Sequence, residues 1–462
     1  MTLPVSGPIS MQDVNVELSQ SPTNEIALND VNVRSLFQVP SGTISLSDGY
    51  GKPSINNWMA YLNLGASVET YATSIAVDQN GNLYSVIYTI TASAITKHNA
   101  AGSLQWAKLF DDAVYIDSIA TDSIGNIYVA GSYFTSITSA ILLKFNSSGS
   151  IVWQKTLDSP SDDAGFNGVA IDASDDVYVA GYSYETGYTG NVLGILVKYN
   201  SSGTLQWQKE YSTTSTYFYH YFKNIKIDQS TGNIYVSGSQ YIDTVLEFPK
   251  VLFLILNSSG GVLLQRLVEV EPDTNALNSI DFDSSGNVYI LAPTVYPGPS
   301  GLFCKFNSSG TMQWQKTDVP VGSINIFNGY IYVTGSPVPD ELLISKYDLS
   351  GNLILQRNIA TASVDWNGRL GAGFGSDFYV FGKTPQPFTS IIYDAFLAKL
   401  PLDGTKTGVY SPFTYSSTSY PDSVSAFTVA FSFYNFLTSS LVGGTSSVTV
   451  SNLGITNNLI SV

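Results

Sequence analysis

Between residues 71 and 403 the chain repeats one phrase. An apolar strand ends in Asp, a Gly-Asn turn follows, and a second strand carries Tyr and often Gly. A third strand ends in Asn, an Asn-Ser-Ser-Gly turn follows, and a fourth carries Trp. The clearest copy runs Ser118-Ile-Ala-Thr-Asp-Ser-Ile-Gly-Asn-Ile-Tyr-Val-Ala-Gly131, then Ile141-Leu-Leu-Lys-Phe-Asn-Ser-Ser-Gly-Ser-Ile-Val-Trp-Gln-Lys155. The marker tyrosines, Tyr84, Tyr128, Tyr178, Tyr235, Tyr289, Tyr332 and Tyr379, stand 43 to 57 residues apart. One such unit cannot cover both of its faces, so units must pack on one another.

Four short strands per unit at this period predict an all-β fold, a seven-bladed β-propeller over residues 55–403. Gly81, Gly149, Gly203, Gly260 and Gly310 fall where a tight turn needs positive φ. Asp78, Asp122, Asp172, Asp228 and Asp283 are placed to cap the first turn, and Trp106, Trp153, Trp207 and Trp314 read as large buried anchors. Blades four and six carry Leu264 and Leu355 instead. The last unit lacks a Trp strand, whereas Trp58-Met-Ala-Tyr-Leu62 is one without a unit, so residues 55–63 are expected to close the last blade and remove two exposed edges. The units resemble bacterial seven-bladed propeller repeats with the hallmark Asp-x-x-Gly-Asn-x-Tyr-Val-x-Gly. That resemblance implies the fold and is nearly silent on function.

Composition narrows the function. Twenty Lys and Arg stand against 36 Asp and Glu, a net charge of −16, and only 12% of residues are charged. Half of the basic residues recur at fixed strand positions (Lys97, Lys144, Lys198, Lys305, Lys346, Lys399; Lys108, Lys155, Lys209, Lys316), which leaves no basic groove for nucleic acid. No secretory leader and no apolar run of membrane-spanning length is seen, so no membrane insertion is expected. Two histidines and one cysteine argue against a metal site, and no cofactor motif stands out. Asp78-Gln-Asn-Gly-Asn82 only superficially matches a calcium loop and reads as a turn. His98 is expected on an edge strand, and Cys304 in buried packing.

Residues 1–54 form a different segment, with short helical stretches expected over 14–18 and 30–37. Leu3-Pro-Val-Ser-Gly-Pro-Ile-Ser10, Asp13-Val-Asn-Val-Glu-Leu18, Leu28-Asn-Asp30, Val33-Arg34 and Val39 to Lys52 resemble the start of tailed-bacteriophage virion structural proteins of the tail-fibre or minor-tail kind. The resemblance implies a virion location, an attachment module bound to other virion proteins and, by analogy with fibres, a homo-oligomer such as a trimer. Leu3, Pro4, Ile9, Val14, Val16, Leu18, Leu28, Val33, Leu36, Ile44 and Tyr50 are the expected assembly residues. Residues 404–462 alternate apolar and polar residues with almost no charge, and read as a β-rich assembly tail paired in an oligomer or on a virion neighbour.

The connections of varied length should share one face, the expected binding face. Its aromatics, Tyr182, Tyr184 and Tyr188 in one loop and Tyr217, Phe218, Tyr219 and His220 in another, suit a host-surface glycan or protein receptor. An enzyme is not expected. A glycan-degrading tailspike would need facing carboxylates, for which Asp111 with Asp112, Asp158 with Asp162 and Asp163, and Glu269 with Glu271 and Asp273 are candidates. A purely architectural capsid or neck protein is the remaining alternative.

Overall fold

The computed structural model describes residues 58–63, most of 70–401 and short strands between 408 and 461. Residues 1–57, several connections (among them 111–113, 158–162, 185–189, 213–217, 243–249, 269–278, 295–299, 336–340, 362–369 and 386–392) and most of 402–462 lie outside the described residues. The expected helices and every assembly residue from Leu3 to Tyr50 fall there. Two compact units are distinguished, Met1–Met59 with Ile460–Val462, and Ala60–Leu459.

The repeats occupy 71–110 (unit one), 114–157 (two), 164–211 (three), 218–268 (four), 279–319 (five) and 322–361 (six), with three more strands in 370–401 (seven). Unit two shows the plan: Val114–Thr121, Ile127–Phe134, Thr138–Phe145 and Ile151–Leu157 form an antiparallel meander. All eight residues of its third strand are buried, whereas the fourth is exposed at its start and buried only at its end. Middle strands covered on both faces are continuously apolar, which is why Ile141-Leu-Leu143 shows no alternation.

First strands pack side by side in sequence order, and Leu370–Phe374 of unit seven packs on Tyr71–Val77 of unit one. Strand Trp58–Asn63 lies beyond Tyr393–Pro401 in the sheet of unit seven. The core lies between units: Tyr84, Ile95 and Phe110 of unit one share a cluster with Ile116, Ile127 and Leu143 of unit two. The architecture is an all-β propeller.

The sheets do not follow the expected one-per-blade division into seven. Among the described residues six sheets form, because units three and four are joined into one eight-stranded sheet by the parallel pair Val192↔Tyr219. The Asn191 side chain cements this junction by accepting the Phe218 amide at 3.0 Å.

Local chemistry explains the signature. Asp122 Oδ1 accepts the amides of Ile124 and Asn126, and Oδ2 accepts the Asn126 side chain at 2.7 Å and the Tyr128 hydroxyl at 3.2 Å. Asp78 repeats all four contacts, so this acid is consumed by its turn. First strands bulge at 116–118, 166–168 and 222–224. A Cβ on Gly131, Gly181 or Gly238 would overlap the carbonyl oxygen of Tyr115, Gly165 or Tyr221 respectively. The glycine of Tyr-Val-x-Gly therefore makes room for the bulge.

Three expectations change. The tryptophans are half-buried rather than core anchors, and they reach forward. The indoles of Trp106, Trp153 and Trp207 donate to the carbonyls of Ser147, Ser201 and Ser258 in the next unit's turn. His98 is not on an edge: it is fully buried at the end of a strand paired on both sides. Tail strands find partners in their own chain, on outer strands of units one, two, five and six. Cys304 is buried as expected.

Candidate functional site

At the end of the units opposite the Gly turns, first strands begin and second strands end. In unit four, Phe218–Ile227 opens with strict alternation: Phe218, His220 and Phe222 are buried, while Tyr219, Tyr221 and Lys223 are partly exposed. Residues 218–223, expected in a loop, are thus strand. Their buried set faces the core: Phe222 packs on Tyr211, with centroids 5.4 Å apart, and blocks any Cβ on Gly194. Tyr182 and Tyr184 likewise belong to the strand Val177–Tyr184. Tyr188 and Tyr217 lie outside the described residues.

The outward set assembles across the unit boundary. Tyr182 packs on Tyr184 and Tyr221, with centroids 6.2 and 5.1 Å apart. The hydroxyls of Tyr184 and Tyr221 lie 3.3 Å apart, and Tyr219 pairs with Tyr241 at 5.4 Å. A parallel group lies on units one and two, where Tyr115 touches Tyr88 at 5.3 Å and Phe134 at 4.9 Å. Phe134 and Ile137 are 46% and 40% exposed. Rings in contact with one another and still open at one edge offer apolar area with hydroxyls already oriented.

Burial raises the phenol of Tyr182 to about 12, with smaller contributions from Asp117, Tyr184 and Asp163, and raises those of Tyr88 and Tyr221 as well. These rings stay neutral and can both donate and accept hydrogen bonds. Asp117 is the extra residue of the unit-two bulge. Its side chain reaches solvent, yet crowding by protein strips away enough water to push its carboxyl up to about 7. Its charge adds to the upward shifts of Tyr88 and Tyr182. The equivalent bulge residues Thr73 and Asn167 donate to Ile116 O and Phe222 O of the next unit, at 3.2 and 2.7 Å.

Tyr182, Tyr184 and Tyr219 are thus partly exposed, whereas Phe218 and His220 face the core. His220 is fully buried, its imidazole pushed down to about 4 by desolvation, and it cannot meet a ligand. Tyr88, Tyr115, Phe134 and Tyr241 were missed. The available signal was alternation at strand ends. Of the candidate acids, Asp163 is described, and it holds backbone: it accepts Thr138 N at 2.9 Å through its side chain and Tyr184 N at 2.9 Å through its carbonyl. Asp111, Asp112, Asp158, Asp162, Glu269, Glu271 and Asp273 lie outside the described residues. Among the described residues no cluster of metal-ligating side chains occurs.

Residues 57–90 match the Beta-propeller repeat family. Among curated proteins none matches the sequence. The fold is similar to the crystal structure of polysaccharide lyase Uly1, at 9% identity and a TM-score of 0.52, over 72% of this chain and 90% of that one. Weaker likenesses include the Dos1 propeller, at 11% identity and 0.41 over 74% of this chain and 94% of that one. Another is a catalytically inactive virginiamycin B lyase from Staphylococcus aureus with quinupristin, at 9% and 0.43 over 73% and 98%. At 9% identity the likeness to Uly1 establishes the fold alone.

Proposed function

We propose that this protein is a tailed-phage virion structural component whose seven units close as one seven-bladed ring and present the tyrosine tract to a host-surface glycan. The observation that carries the binding role is the tract of Tyr182, Tyr184, Tyr219 and Tyr221, continuous across units three and four. Flat rings stack on sugar faces, and neutral phenols read sugar hydroxyls. An acidic chain with few cations matches a neutral polyhydroxylated ligand better than an anionic one. The attachment role rests on the resemblance carried by Leu3 to Lys52.

Glycan-array binding of the full chain tests the site. Binding should fall at least tenfold in Tyr182→Ala/Tyr221→Ala while thermal unfolding stays cooperative. Unchanged binding by that variant, or no glycan bound by the parent, would remove the glycan reading. Deletion of residues 1–54 should abolish incorporation into particles, and truncated protein that still enters virions would refute the anchor.

One observation favours glycan cleavage as a second reading. Asp117 stands exposed near Tyr88 and Tyr182, and its carboxyl is raised above the ordinary carboxylate range, the direction that a proton donor to a leaving oxygen needs. Depolymerising activity lost in Asp117→Asn with glycan binding retained would favour this reading. Absence of activity in the parent would leave the module purely binding.

A further inference from the structure

Four successive units share one rung of their first strands. In units one to four the strand bulges, at 72–74, 116–118, 166–168 and 222–224. The second pair before each bulge is Tyr71↔Tyr88, Tyr115↔Ser132, Gly165↔Tyr182 and Tyr221↔Ser239 in turn. Each of these pairs carries a tyrosine. The described first strands of units five, six and seven pair without a bulge. A bulge bends its strand and re-aims the side chains beside it, so the four units present this rung alike.

The rung is continuous across every boundary from unit one to unit four. Tyr88 of unit one packs on Tyr115 of unit two, with centroids 5.3 Å apart. Tyr115 stands beside its strand partner Ser132. Ser132 in turn hydrogen-bonds the phenol of Tyr182 in unit three. Gly165 permits this contact: a Cβ there would stand 2.7 Å from Ser132 Oγ and 2.8 Å from Tyr182 Cε1. Tyr182 then packs on Tyr221 of unit four at 5.1 Å. The two tyrosine groups are thus one tract, joined through Ser132 and Gly165.

We propose that the ligand of this site is a linear neutral polysaccharide laid along the rung across units one to four, an inference that rests on glycan binding by the tract. Neighbouring units are sheets packed face to face about 10 Å apart, so the rung runs over roughly 30 Å. A single terminal sugar would use one of its rings and leave the others idle. A chain of sugars can stack on successive rings and meet their hydroxyls in turn. The bulge residues beside the rung, Thr73, Asp117, Asn167 and Lys223, include one acid and one base. That balance suits a neutral chain better than a polyanion.

Arrays of neutral gluco-, manno- and galacto-oligosaccharides, each as a ladder from dimer to octamer, test this on the full chain. In a ladder that binds, affinity should rise at least tenfold from dimer to octamer. Tyr88→Ala/Tyr115→Ala should bring that gain below threefold. Phe134→Ser, which removes a 46% exposed ring packed on Tyr115, should also reduce it, with cooperative thermal unfolding retained. Equal affinity at every length, or a gain untouched in both variants, would overturn the extended chain and leave glycan binding standing. No sugar bound at any length would remove the glycan reading and this inference with it.

Discussion

The ring of Trp153 occupies the space in which a Cβ on Gly203 would stand, 3.0 Å away, although the two residues belong to successive units. Gly149 with Trp106, Gly260 with Trp207 and Gly351 with Trp314 repeat the relationship. The two most visible letters of the repeat, the turn Gly and the strand Trp, are thus halves of one inter-unit contact. In unit four, where Leu264 replaces Trp, Arg266 takes over the polar part and donates to Gly310 O and Ser309 O at 3.0 and 3.1 Å.

Gly203→Ala should accordingly cost more than backbone strain alone. Gly203 has φ +83° and Gly329 has φ +76°, but a Cβ on Gly329 meets nothing within 4 Å. Gly329→Ala reports the left-handed penalty of about 1 kcal/mol. Gly203→Ala should exceed it by a further ~1–2 kcal/mol from displacing the indole. Equal losses in urea unfolding would show that the Trp–Gly contact carries no energy.

Asp122 and Asp175 lie in corresponding turns of successive units and predict losses of different size. Asp122 is buried, bonds its turn and Tyr128, and has Lys144 3.7 Å away. Lys144 also donates to Ser201 O of the next unit at 2.9 Å. Asp122→Ala removes the acid beside a buried cation and the acceptor of a buried phenol, a loss of about 3–5 kcal/mol. Asp175 is a turn residue with φ 61°, held by accepting Ser123 N and Oγ at 2.9 and 2.7 Å. Asp175→Ala loses these exposed bonds, about 1–2 kcal/mol. Asp175→Gly relieves strain and should fall below that figure. Calorimetric unfolding of the three variants checks the order.

Much of this was legible because repeats report their own constraints. Asp78, Asp122 and Asp283 recur with Asn and Tyr at fixed offsets, and all three make the expected turn contacts. What failed lay where one pattern was judged without its neighbours. Aromatic crowding from Tyr217 to Phe222 reads as loop because six bulky residues in a row mask alternation, yet alternation separates Tyr219 and Tyr221 from buried Phe218 and His220. The tryptophans looked like core by size alone, but their partner is a turn about 40 to 50 residues away, visible only when units are stacked. The joining of units three and four depends on Asn191, which has no counterpart in the repeat.

The two histidines set a pH dependence with a definite sign. Burial pushes His98 and His220 down to about 4, against an ordinary value of 6.5. Between those values the unfolded chain binds protons that the folded chain refuses. Stability contributed by the neutral imidazoles is present above pH 6.5 and is lost progressively as pH falls toward 4. Asp117 acts in the opposite sense. With its folded carboxyl near 7 and an unfolded one near 3.8, it penalises the fold increasingly as pH rises through that interval. Solvent contact at Asp117 weakens its share, so the parent should lose melting temperature from pH 6.5 to 4. Asp117→Asn should steepen that loss, and His98→Asn/His220→Asn should flatten it. A melting temperature that rises on acidification in the parent, or a slope unchanged by the histidine pair, would show that other groups govern the acid limb.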